Sequence, residues 1–244
     1  MLARALALLL TLAGSSWPAG AQAVDDLIAR NLEAKGGLDR INRVETLRMT
    51  GRTTAGPGTE APFVMEIKRP DKVRMDVTVR GDTMTQAFDG KTGWQTAAVP
   101  GKTEPQVLPE RVTRGMAQQA DFAGPLVDAR AKGTAIEYGG LVKLDTGEAH
   151  RLDLTGKAGE KRSIFLDAKT FLEVRGEATF TQGGRTITVI SLIGDYRPVD
   201  GLVLPHRVES APRGAAQRMR TTIDKIELNV PIDDARFAMP RQQD

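Results

Sequence analysis

The chain has no cysteine among its 244 residues, only two histidines, two tryptophans and two tyrosines, and only 5% aromatics. The missing cysteine excludes disulfides, thiolate metal sites and acylation through a cysteine. The only imidazoles are His150 and His206, with no cysteine and no ligand spacing around either, so no metal or other cofactor is expected. They are expected as single polar side chains at strand ends. A serine triad has no footing either, because Ser163, Ser191 and Ser210 lie in or beside strand-like stretches and outside any nucleophile elbow. No catalytic residue is assigned, and the chain is not expected to be an enzyme. Long hydrophobic runs are also lacking: the apolar stretch at residues 5–13 is too short to cross a bilayer.

That short run belongs to a secretory signal. Arg4 supplies the charged start, residues 5–13 the apolar segment, Gly14 and Pro18 a break, and Ala21-Gln22-Ala23 a small-residue cleavage site. Cleavage after Ala23 separates a signal peptide at 1–23 from a mature chain at 24–244, whose length suits a single domain. The address is the periplasm. In the mature chain 33 basic residues are interspersed with 31 acidic ones, so nucleic acid is not an expected partner, nor is a transmembrane segment expected.

Residues 24–35 place Val24, Leu27, Ile28 and Leu32 on one helical face, followed by Gly36-Gly37 as a stop. Leu38, Ile41 and Val44 predict a further turn or two. From Thr46 the period drops to two. In residues 72–79, Val73, Met75, Val77 and Val79 alternate with Lys72, Arg74, Asp76 and Thr78, so a one-residue slip would bury the charged set. Turns at Pro70-Asp71, Gly81-Asp82 and Asp89-Gly90 make this region an antiparallel meander.

Residues 109–132 return to a helical pattern through Val112, Met116, Ala120, Ala123 and Val127, with a split expected at Gly124-Pro125. Strands follow at 136–143, 149–155, 162–167, 171–181, 185–195, 202–209 and 217–228, with one turn expected at Gly139-Gly140. Ile187, Val189, Ile190, Leu192 and Ile193 make the most two-sidedly apolar strand, expected to be covered on both faces. Asp89-Gly90-Lys91-Thr92 reads as a tight hairpin and not as a nucleotide loop, and Asp233-Asp234 as the opening of a short helical turn. The fold class is mainly β with a few helices (α+β), a strongly curved and mostly antiparallel sheet wrapped about the two helical segments.

The mature chain keeps seven methionines, at least four of them in the inward set of strands that otherwise carry valine or phenylalanine. Methionine adapts its shape, which suits flexible acyl chains as well as it suits an ordinary core.

Several stretches carry a resemblance: Leu32-Glu33-Ala34-Lys35-Gly36-Gly37-Leu38, Phe88-Asp89-Gly90-Lys91-Thr92-Gly93-Trp94, Phe165-Leu166-Asp167-Ala168-Lys169-Thr170-Phe171-Leu172, the run from Asp195 through Pro198, Gly201 and Pro205 to Arg207, and the closing run from Asn229 to Phe237. Together they resemble bacterial outer-membrane lipoprotein-sorting proteins of the LolA-like superfamily. The resemblance implies an unclosed antiparallel β-barrel of about eleven strands, with helices lining or covering a concave face that holds a lipid or a lipoprotein acyl chain. Such a carrier needs no catalytic group. Its apolar cavity is expected from Phe63, Met65, Ile67, Met75, Val77, Met84 and Phe88 in the early strands, with Met116, Phe122, Ile187 and Val189 from the lid and facing strands. The alternative is an envelope sensor or scaffold that binds a protein partner with the same fold.

Overall fold

The computed structural model describes residues 19–56, 58–96, 104–182 and 184–240. Thirteen strands form one sheet: β1 (Thr46–Gly56), β2 (Thr59–Lys68), β3 (Lys72–Val79), β4 (Asp82–Phe88), β5 (Gly93–Thr96), β6 (Pro105–Val107), β7 (Ala135–Leu144), β8 (Gly147–Thr155), β9 (Lys161–Asp167), β10 (Glu173–Gln182), β11 (Arg185–Val199), β12 (Leu202–Pro212) and β13 (Met219–Leu228). The helices are α1 (Ala19–Ala34), α2 (Leu38–Asn42) and α3 (Glu110–Ala120), with a 3-10 turn at Asp234–Arg236. The strand order is β6-β5-β4-β3-β2-β1-β13-β12-β11-β10-β9-β8-β7, antiparallel throughout. Two meanders are therefore zipped together by the β1–β13 pair. The sheet stays unclosed between β6 and β7, and the chain crosses from one edge to the other through α3.

The expected count of about eleven strands becomes thirteen. One addition is β6, three residues whose Trp94↔Val107 and Thr96↔Pro105 pairing on β5 carries no periodicity of its own. Gly139-Gly140 is not a turn but a bulge inside β7, where the register shifts between Tyr138 and Gly140 and Gly140 takes a positive φ of 92°. The long helical pattern at 109–132 ends at Ala120, because Asp121 turns extended (ψ 82°) and Gly124 takes a φ of 81°. The remainder, 121–133, is a series of turns tied down by Lys132, whose ammonium meets the Asp121 carboxylate and the Gly124 carbonyl. His150 and His206 sit inside β8 and β12 and not at strand ends.

Side chains of one face follow from the register, since directly paired residues point the same way. Leu47, Ile67, Val73 and Phe88 form one inward row across β1–β4, and Met49, Met65 and Met75 form the next. The first row, Met116 and Ala120 of α3, Ile41 of α2, Leu202 and Leu204 of β12, and Ile223 and Ile226 of β13 belong to one buried cluster, and the methionine row packs against it half-buried. A second cluster joins Val24 and Leu27 of α1 to Leu152, Leu154, Ile164 and Leu166 of β8 and β9. Each fully buried aliphatic side chain here contributes about 1.5–3 kcal/mol. No fully buried member of either cluster lies on β10 or β11.

The expected signal peptide lies mostly outside the described residues, which begin at Ala19. Helix α1 runs across the expected cleavage site, and the side chains it buries, Val24 and Leu27, lie beyond that site. Its far end is pinned by Asn31, fully buried, whose Nδ2 donates to the Phe171 carbonyl at 2.7 Å.

The outer face of β2–β5 is strapped by the C-terminal segment. Trp94 donates from Nε1 to the Phe237 carbonyl at 2.8 Å, and both side chains are buried. Arg236 reaches Glu66 at 3.0 Å and Asp76 at 3.3 Å, while Lys68 and Lys72 hold Asp234 at 2.7 and 2.8 Å. Asp233 opens the 3-10 turn by accepting the Ala235 N–H, as its sequence position predicts.

Candidate functional site: a groove on the concave face

Between the two buried clusters the concave face is open. One side of α3 packs on β3–β5, and its other side looks across a groove of about 590 Å³ to β9 and β10. Val112 and Met116 line the helix side, and Ala178 and Phe180 line the sheet side. Cross-strand pairing extends this floor, because Phe180 opposes Ile187 and Ala178 opposes Val189. A smaller cavity of about 230 Å³, bounded by Pro125, Leu154 and Gly156, shares Gln118, Glu160 and Arg162 with the groove. A third depression, of about 780 Å³, lies at the seam between Thr46, Lys68 and residues 229–233. Several of its polar groups are already engaged with one another: the Thr46 hydroxyl donates to the Val230 carbonyl and Lys68 to the Ile232 carbonyl. It is a structural seam.

The sequence-derived cavity residues divide by position. Phe63, Ile67, Phe88 and Met116 are buried in the larger cluster, and Met65, Met75, Val77 and Phe122 pack against it half-buried. Met84 opposes Val77 on the same face and is also half-buried. Ile187 and Val189 are half-buried and belong to neither cluster. Only Met116 of the eleven directly lines the groove, with Ile187 and Val189 one strand beyond it.

The expectation that β11 is covered on both faces does not hold. Ile190 is buried, but Leu192 is 37% exposed and Ile187, Val189 and Ile193 are only half-buried. Sequence reasoning also passed over β10. Its alternation was legible: Val174, Gly176, Ala178 and Phe180 share one face and Arg175, Glu177, Thr179 and Thr181 the other. Arg175 and Glu177 pair with each other on the outside, and the Arg175 guanidinium covers the Phe165 ring at 5.3 Å.

The rim is charged. Arg111 stands over the Phe180 ring, 5.8 Å from its centroid, and Arg114 pairs loosely with Glu110 at 3.7 Å. Arg162 lies on the inward row of β9, between Leu154 and Ala178, and borders both cavities. Burial lowers its pKa from the ordinary guanidinium value, and the nearby Glu160 carboxylate pulls the other way. Among the described residues no group of three or more His, Asp or Glu is placed to hold a metal.

No protein-family model and no curated protein sequence matches the chain. Solved structures do. A LolA superfamily protein from Nitrosomonas europaea matches at 15% identity over 91% of this chain and 98% of its own, with a TM-score of 0.58. A DUF1329 family protein from Desulfovibrio piger matches at 11% identity over 89% and 96%, with a TM-score of 0.62. A structure described as an outer membrane lipoprotein-sorting protein domain, from Vibrio parahaemolyticus, matches at 10% identity over 89% and 95%, with a TM-score of 0.57. Identities this low speak for fold alone; with the unclosed antiparallel sheet and the helices on its concave side, they establish that this chain has the LolA-like fold.

Proposed function

We propose that this chain is an exported periplasmic carrier or binding protein that holds a lipid or a lipoprotein acyl chain, without catalysis, in the groove beneath α3. The observation that carries the reading is the uncovered apolar floor of β10 and β11. Elsewhere α1 and α3 bury the inward rows; here Phe180 lines a groove and Ile187 and Val189, paired beside it on the same face, extend the apolar floor, and that is the space an acyl chain would take. Burying a chain there yields about 0.8 kcal/mol per methylene, so a modest length offsets the cost of leaving a membrane. The described lipoprotein-sorting domain among the structural neighbours supports the same use. No helix among the described residues is long and apolar enough to cross a membrane. Native mass spectrometry of gently purified protein is expected to find co-purified lipid; bare protein that also fails to bind fluorescent fatty-acid probes would refute the reading.

One observation favours the protein-binding alternative. Strand β7 ends the sheet with Tyr138 39% and Leu141 51% exposed, an edge on which a partner strand could pair. A partner complex that survives loss of lipid binding would favour it.

A further inference from the structure

Six arginines are half-buried: Arg48, Arg69, Arg74, Arg151, Arg162 and Arg175. Five are held. Arg48 meets Glu66, Arg69 the carbonyls of Val44 and Ile41, Arg74 and Arg151 the carboxylates of Asp76 and Asp153, and Arg175 that of Glu177. Arg162 is the exception. Among the described residues no hydrogen bond or ion pair holds its guanidinium, although it projects from the inward row of β9 where the two cavities meet. Glu160 acts on it through space, but that carboxylate accepts the Ala158 N–H at 3.1 Å and makes no ion pair with it. A guanidinium keeps its charge in any such environment, and a half-buried one that no carboxylate or carbonyl engages is free to take an anion entering the groove.

We infer that the groove selects a single-chain amphiphile with an anionic head, a long-chain fatty carboxylate, whose head meets Arg162 and whose tail lies along Phe180, Ile187 and Val189. This rests on the acyl-binding reading above and adds the charge of the ligand. A carboxylate matches the planar guanidinium fork, and no group among the described residues occupies the fork of Arg162. The tail has a continuous path, since Ala178 opposes Arg162 and Val189 opposes Ala178, with Phe180 and Ile187 paired beside them. Arg111 over Phe180 adds a second positive charge at the mouth, which favours an anion approaching from solvent.

The test is competition of palmitate and of its neutral analogue hexadecanol against an environment-sensitive neutral dye bound to the purified protein. Palmitate is expected to bind about tenfold more tightly than hexadecanol, the difference a charge-assisted contact supplies. Arg162→Met should bring palmitate to the affinity of hexadecanol and leave hexadecanol within about twofold of its original value. Equal affinities in the unaltered protein would overturn the anionic head and leave the acyl reading standing. Binding of neither would sink both. A palmitate preference that survives Arg162→Met would overturn the assignment to this residue. Thermal melting checks that the variant folds; should it not, Arg162→Lys, which keeps the charge and loses the fork, is expected to retain part of the preference, and an undiminished preference there counts against the fork.

Discussion

At the scale of single residues, the strap on the outer face gives the sharpest expectations. Phe237 is fully buried, and its carbonyl accepts the Trp94 indole N–H. Phe237→Ala should cost about 3–5 kcal/mol of stability, read from the denaturant midpoint. Asp234 behaves differently because it is solvent-exposed. The hydrogen bonds and charges of Lys68 and Lys72 hold its carboxyl down to about 2, against an ordinary value of 3.8. A depressed folded value means that its contribution is complete above 3.8 and is lost as pH falls through about 2. Asp234→Asn should therefore flatten the acid limb of the stability profile between those values, and added salt should shrink the difference. The acidic pair was readable as a helical-turn opening; its lysine partners were not, because β2 and β3 lie far away in sequence.

At the scale of elements, periodicity carried most of the strands. Residues 72–79 came out as β3 with the same bounds, since strict alternation permits only one face inward. The Asp89-Gly90 hairpin also stands: the Asp89 carboxylate accepts the N–H groups of Lys91 and Thr92 at 2.9 and 2.7 Å. The shortfall at 109–132 has a local cause. Apolar spacing continues past Ala120, yet Asp121 and Gly124 set the backbone that ends α3, and buried turns can keep helical spacing without helical hydrogen bonds. The zip between the two meanders depends on a close approach at Gly51, beside a bulge in β1, where a Cβ would stand 2.0 Å from the Thr222 carbonyl oxygen. Gly51→Ala should destabilise by about 1–3 kcal/mol and broaden the amide signals of β1 and β13 before those of β8 and β9.

At the scale of the whole molecule, the proposed function turns on the stretch of inward face that lies outside both buried clusters. Ile187 and Leu192 lie on the same strand and look alike in sequence, but one shares the face of Phe180, which lines the groove, and the other is 37% exposed on the opposite face. Ile187→Asp should abolish binding of an acyl probe while leaving the melting temperature close to its original value, whereas Leu192→Asp should leave both unchanged. Equal effects of the two would place the site elsewhere.

The sequence by itself determined the strand faces and most turns, because alternation and glycine placement act locally. Of the eleven residues expected at the cavity, eight belong to the larger cluster or pack against it. Only the tertiary structure decided which inward residues are covered and which face a groove. That difference is set by which strands α1 and α3 pack against, and it separates a buried core under β1–β4 from an apolar floor on β10 and β11 although both are written in the same two-residue period. For the same reason Arg162 has no signature in sequence: its distinction is that no group among the described residues holds it.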